Sequence, residues 1–246
     1  MLKIGGVQLG ELPRVVLGVD CECPPVADAA QCGVDILEVR VDLFDNVTPN
    51  DVVSEVKVLK RHELPLIGTI RSRAEGGKAN LNDAQREGLY KQISPLVHAL
   101  DIDLSSSILK PVIAMARRNK NAVILSHHDF KKTPNDEALA EITKKANALG
   151  ADIIKIAVRA NDEGDVARLL GFTLTHRGKN LVTISMGSIG SISRLLFPLA
   201  GSVMTYTSVT PSDGQIPAGR LIEGLRLYYP RYNESVIART KSLEFV

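Results

Sequence analysis

Eight times along this chain of 246 residues a short β-branched run is followed by a longer amphipathic segment. The runs fall at 14–19, 35–41, 64–70, 99–104, 122–126, 152–158, 181–185 and 202–206. Segments of helical length lie between and after them, at 26–33, 49–61, 81–97, 107–119, 135–149, 161–177, 188–199 and 216–228. Several of these begin on turn or capping pairs, namely Thr48-Pro49, Asn82-Asp83 and Thr133-Pro134. Eight strand–helix units predict a single α/β domain, a (β/α)₈ TIM barrel, a fold that typically takes about 250 residues. An open doubly wound sheet would carry a glycine-rich first turn for a nucleotide, and Cys21-Glu22-Cys23-Pro24-Pro25 is not one. No linker or composition break divides the chain, so one domain is expected over 1–246. Residues 229–246 read as a C-terminal tail, or as a segment packed on the outside of the barrel.

Composition narrows the function classes. A formal net charge of +2 argues against nucleic acid and against a membrane surface as partners. No apolar run reaches the roughly 18 residues of a membrane span, and residues 1–11 lack the pattern of a signal peptide, so a cytoplasmic location is expected. Cys21, Cys23 and Cys32 are an odd set without a fourth Cys or a nearby His, which argues against a structural zinc site.

The informative residues are charges where a parallel barrel should be apolar. In the second run, Ile36, Glu38, Arg40 and Asp42 share one face, while Leu37, Val39 and Val41 share the other. The apolar face suits the outer helices, so Glu38, Arg40 and Asp42 are expected at the barrel interior or its rim. Arg71, with the parity of Thr69, should project inward at the C-terminal rim, just before Glu75-Gly76-Gly77. The fifth run ends in Ser126-His127-His128-Asp129-Phe130, with His128 on the face of Ala122 and Ile124. A histidine at the C-terminal end of a barrel strand stands where such barrels build their active sites. It is also the side chain that titrates nearest neutrality.

Lys155 is the most telling. It sits in the middle of Asp152-Ile153-Ile154-Lys155-Ile156-Ala157-Val158, where an unpaired ammonium is costly. Desolvation and neighbouring cations would favour the neutral amine, the form that attacks a ketone to give an imine. After the seventh run, Ser185-Met186-Gly187 leads to Ser193-Arg194. Arg194, about one and a half turns into the next helix, suits a bidentate carboxylate contact. Tyr206 ends the eighth run, and Pro211-Ser212-Asp213-Gly214-Gln215 forms a polar loop. Arg40, Arg71, Arg194 and Lys155 against Glu38 and Glu75 leave a surplus of cations, which predicts an anionic small-molecule substrate bearing a carbonyl.

In this order these residues resemble the type I 3-dehydroquinate dehydratases. The matching pieces are Glu38-Val39-Arg40 with Asp42, Thr69-Ile70-Arg71 with Glu75-Gly76-Gly77, Ser126-His127-His128-Asp129-Phe130, Lys155-Ile156-Ala157, Ser185-Met186-Gly187, Ser193-Arg194 and Gly214-Gln215. The resemblance implies dehydration of 3-dehydroquinate to 3-dehydroshikimate, without cofactor or metal, by a homodimer. It implies that Lys155 forms the imine, His128 moves the protons and Glu75 orients His128. Arg194 would bind the substrate carboxylate, with Gln215 and the loop around Ser212 closing over it. Glu38, Arg40 and Arg71 would hold ring hydroxyls. Departures from the family pattern are Ile184-Ser185-Met186 for Met-x-Met, which leaves Met186 as an apolar wall contact, Tyr206 for Phe, and a Ser-Asp-Gly-Gln loop. Two other readings stand beside it: a lysine-imine aldolase, which would bind phosphate on backbone amides, and a non-catalytic barrel that binds a small acid or a protein.

Overall fold

The computed structural model describes residues 2–21, 26, 28–212 and 214–243. A two-residue antiparallel hairpin comes first, β1 (Lys3–Ile4) with β2 (Val7–Gln8). Eight parallel strands follow: β3 (Val15–Val19), β4 (Ile36–Arg40), β5 (Leu66–Thr69), β6 (Ala99–Asp103), β7 (Ala122–Asp129), β8 (Ile153–Arg159), β9 (Leu181–Met186) and β10 (Thr205–Ser208). Each pairs with its successor up to β9, and β10 pairs back onto β3, so the sheet wraps into a TIM barrel. The β9–β10 seam is closed differently. Val203 N donates to Leu181 O at 2.9 Å, and the Ser202 hydroxyl accepts from Thr183 N and donates to Met204 O. These contacts use 202–204 at the seam, and the strand itself starts three residues later and ends two later than the hydropathy suggests, leaving Tyr206 inside it rather than at its end.

Helices cover the outside: α1 (Ala29–Cys32), α2 (Pro49–Leu59), α3 (Asp83–Ile93), α4 (Leu109–Arg118), α5 (Asp136–Ala148), α6 (Glu163–Thr175), α7 (Ser193–Ala200), α8 (Ala218–Tyr228) and α9 (Pro230–Leu243). Their starts follow the capping chemistry. Thr48 accepts from Asp51 N with Pro49 at the first helical position, and Asn82 with Gln85 forms a full capping box. Thr133-Pro134 is not a cap. Asn135 caps α5, while the Thr133 hydroxyl donates to Arg159 O at 2.8 Å and ties this loop to the end of β8. Segment 229–246 contains α9, whose Tyr232 is fully buried and donates to Gly33 O. Among the described residues no helix is long and apolar enough to cross a membrane.

Strand alternation sorts the core into two clusters. Leu37, Val39, Val41, Leu125, Ile154 and Ile156 face the helices. Val16, Ile36, Ile67, Ala99, Ile124, Ile153, Val182 and Met204 fill the barrel, and Ile4 and Leu9 join this inner cluster. The hairpin therefore plugs the N-terminal end. Above the inner cluster, the same inward face carries Glu38, Asp101, Ser126 and Lys155. An apolar floor thus lies directly beneath a buried polar layer.

Candidate active site

At the C-terminal ends of the strands lies a cavity of about 420 Å³. Its walls include every candidate from the sequence: Glu38, Arg40, Arg71, Glu75, His128, Lys155, Met186, Arg194, Tyr206, Ser212 and Gln215.

Lys155 projects from the middle of β8 and is 4% exposed. It is not short of partners, and this corrects the sequence expectation: its near neighbours are carboxylates rather than cations. Nζ donates to Glu38 Oε1 at 3.0 Å and to Asp101 Oδ2 at 3.1 Å, over the ring of Tyr206 at 4.1 Å from the centroid. Thr69 Oγ donates to the same Glu38 oxygen. A buried ammonium is tolerable here because two anions and a π face meet it.

Asp101 and Asp103 are the residues the sequence reading passed over. Both are completely buried on β6. Arg71 Nη1 lies 3.0 Å from Asp101 Oδ1 and 2.5 Å from Asp103 Oδ1, and also donates to Ser126 Oγ. Ser126 in turn donates to Asp101. Burial alone would raise the Asp101 pKa, but the Arg71 and Lys155 charges outweigh it and hold the carboxyl far below its usual range. Burial likewise works against Arg71, yet Asp101 and Asp103 keep its pKa well above normal. From outside the barrel, Arg86 on α3 reaches Asp103 Oδ2 at 3.1 Å. The detectable signal was the alternation Asp101-Ile102-Asp103, the same parity argument that exposed Glu38 and Arg40. Arg86 gave none, because one arginine on an amphipathic helix looks solvated.

The imidazole is oriented by one carboxylate. β7 runs on to Asp129, past the expected limit, because β8 continues its ladder opposite His127 and His128. His128 Nδ1 lies 2.9 Å from Glu75 Oε2, which also accepts from His128 N. Ser105 Oγ donates to the other Glu75 oxygen at 2.6 Å. Burial, then Arg71 and Lys155, push the His128 pKa well below 6.5. Burial raises Glu75 to about 7, against the Ser105 hydrogen bond. The two groups share one proton equilibrium. With Glu75 ionised, Nδ1–H faces it and Nε2 is free to act as a base. Phe130 stacks near the ring at 6.4 Å and lines the cavity mouth.

The β9–β10 side is built otherwise. A 3₁₀ turn, Ile189–Ile192, precedes α7, so Arg194 is the second residue of that helix rather than one and a half turns in. Its Nη1 donates to Ser185 O at 3.3 Å, and its buried Nε has no partner. Burial lowers its pKa to about 10, and among the described residues no carboxylate pairs with it. The Tyr206 hydroxyl and Ser185 Oγ are also buried without partners. Gln215 Oε1 accepts from Ser208 Oγ and Ser212 N, which folds the loop onto the strand end. Gly214 is left-handed (φ +76°), and a Cβ there would overlap the backbone of Gly187.

Counting the acids that the structure adds revises the cation surplus. Arg71 is neutralised by Asp101 and Asp103, Arg40 by Asp42 at 2.8 Å, and Lys155 by Glu38 and Asp101. Of the four cations counted from the sequence only Arg194 remains without a carboxylate among the described residues, and it is the buried one that can meet an anion; Lys78 and Arg159 also line the cavity. Glu75, Asp103 and His128 bring ligand-type atoms within 4.8 Å of one another. Their carboxylate oxygens already accept from Ser105, His128, Arg71, Arg86 and Ser72 N, and two guanidinium groups flank Asp103. A cation fits poorly there.

Comparison with known proteins gives a consistent result. The type I 3-dehydroquinase family profile matches residues 22–231. A 3-dehydroquinate dehydratase of Methanococcoides burtonii is 36% identical over 230 residues, covering 92% of this chain and 97% of that protein. The crystal structure of the Aquifex aeolicus 3-dehydroquinate dehydratase superposes with a TM-score of 0.80 at 35% identity, over 88% of this chain and 99% of that one. The type I enzyme of Clostridium difficile, solved with covalently modified comenic acid, gives 0.87 at 30% identity, over 94% and 98%.

Proposed function

This chain belongs to the type I 3-dehydroquinase family, and on that premise we propose how its cavity carries out the family's reaction. The reaction is that of a hydro-lyase, the dehydration of 3-dehydroquinate to 3-dehydroshikimate in the shikimate pathway. Lys155 condenses with the C3 ketone: its ammonium gives up two hydrogens, the ketone oxygen leaves as water, and a protonated imine remains. His128 Nε2 removes the C2 proton, and the electron pair moves into the iminium as an enamine. Its return expels the C1 hydroxyl, which leaves as water with the proton from His128. Hydrolysis of the conjugated imine releases the enone and restores Lys155. The iminium supplies the electron sink, so the sequence of steps needs no metal or cofactor.

Arg194 holds the substrate carboxylate, since it is the buried cation without a carboxylate of its own. Glu38, Arg40 and Arg71 face the ring hydroxyls, and Met186 with the Tyr206 ring forms the apolar wall. Gln215 and Ser212 close the edge, and Glu75 keeps the His128 tautomer. The observation that carries the proposal is a lysine amine and a Glu-oriented imidazole lining the same cavity as that guanidinium. The guanidinium also disfavours the aldolase reading, which calls for phosphate on backbone amides. A homodimer in the cytoplasm is part of the proposal, supported by the family alone; sedimentation equilibrium giving a monomer would remove the dimer.

The test is direct. Incubation with 3-dehydroquinate is expected to produce the ultraviolet absorbance of a conjugated enone, and borohydride to fix an adduct on Lys155 found by peptide mass spectrometry. No absorbance and no adduct would overturn the mechanism.

A further inference from the structure

We propose that the Tyr206 hydroxyl is the hydrogen-bond donor that takes over from the Lys155 ammonium when the lysine becomes an imine, which keeps Asp101 and Glu38 satisfied through turnover. The inference rests on the imine route above.

It follows from counting hydrogens. The Lys155 ammonium has three N–H groups and spends two on Glu38 Oε1 and Asp101 Oδ2. A protonated imine keeps one. Glu38 Oε1 retains the Thr69 hydroxyl, and Asp101 Oδ1 retains Ser126 and Arg71. Asp101 Oδ2 accepts from Lys155, so it is the oxygen most exposed to loss of a donor. An ionised carboxylate stripped of a donor in a buried site is expensive, and Asp101 stays ionised because its pKa is held far below normal.

An unused donor lies beside this network. Tyr206 is 5% exposed and lines the cavity, with the centre of its ring 4.1 Å from Nζ. Its hydroxyl is buried without a partner, although buried polar atoms seldom stay unpaired. Burial, with the Glu38 and Asp101 charges adding to it, keeps the phenol protonated well beyond its usual range. A phenylalanine would supply the same ring under Nζ and no donor. The orphan is a cost in the resting protein and a gain once the amine is consumed, which makes Tyr206 a positioning residue in this step.

The experiment compares Tyr206→Phe with the unaltered protein. With saturating 3-dehydroquinate, the borohydride-trapped fraction on Lys155 and kcat should each fall about tenfold, as for loss of one hydrogen bond to a charged group. The melting temperature should hold or rise, because an unpaired hydroxyl is removed. In a Lys155→Ala background, substrate affinity by calorimetry should not respond to Tyr206→Phe. Unchanged trapping and kcat would overturn the proposal alone. So would a matching loss of affinity in the Lys155→Ala background, which would make the hydroxyl a plain substrate contact. Absence of any adduct on either protein would overturn the imine, and this proposal with it.

Discussion

The two sides of the cavity mouth treat buried charge in opposite ways. On the β4–β8 side the three inward cations all have counterions: Arg40 with Asp42, Arg71 with Asp101 and Asp103, Lys155 with Glu38 and Asp101. On the β9–β10 side Arg194 Nε, Ser185 Oγ and the Tyr206 hydroxyl are buried with no partner among the described residues. A saturated network holds its groups in fixed geometry and is costly to break. An unsaturated one carries a penalty that is relieved only once substrate is engaged. On the proposed mechanism the contrast separates the half assigned the covalent chemistry from the half assigned to substrate.

The largest effects should come from the saturated half. Lys155→Ala should abolish borohydride trapping and lower turnover by several orders of magnitude. His128→Ala should still allow trapping while losing roughly 10²–10⁴-fold in kcat. Trapping on the Lys155→Ala protein would place the covalent chemistry elsewhere.

A matched pair of arginine variants tests the contrast itself. Arg71→Met leaves Asp101 and Asp103 short of a buried counterion and should cost about 3–5 kcal/mol in urea denaturation. Arg194→Met removes a guanidinium with no counterion, so stability should hold or rise by about 1 kcal/mol. The same change should reduce kcat/KM about a hundredfold, through the lost charge-assisted contact. Equal destabilisation by both would erase the distinction.

The smallest effect is on pH dependence. Glu75, raised to about 7 from 4.5, keeps in the folded state a proton that the unfolded chain releases earlier. Its contribution to stability is full below pH 4.5 and is lost as pH rises through 7. Protonating the Glu75–His128 pair blocks the base, so kcat/KM should fall on the acid side of about 7. Glu75→Gln should flatten the stability slope between pH 5 and 8 and displace the acid limb. An unchanged limb would uncouple Glu75 from His128.

The barrel and most of this site were legible because parity is a strict rule in strands. Glu38, Arg40, Arg71 and His128 could be placed on shared strand faces by alternation, and Lys155 stood out as a charge inside an apolar run. What alternation cannot give is the partner across the barrel. Lys155 and Asp101 are 54 residues apart, and Lys155 and Glu38 are 117 apart, so the sequence reading placed an ammonium among cations when it lies between carboxylates. Local backbone choices were hidden too. The 3₁₀ turn before α7 moved Arg194 to the helix start, and the Ser202 seam moved the last strand. The N-terminal hairpin is two residues per strand, below the length at which periodicity carries information.

Arg86 crosses from α3 between strands to grip Asp103, which grips Arg71. Barrels of this kind are often treated as an inert frame with exchangeable loops. Here the frame and the chemistry share a component. Grafting the catalytic strands of this protein onto another barrel would import Asp103 with an empty coordination slot on its outer side, unless the third helix travelled with them. The transferable unit is therefore a strand-and-helix block spanning both layers, and on the proposed mechanism a change at the buried Arg86 of α3 is expected to alter turnover without touching the cavity.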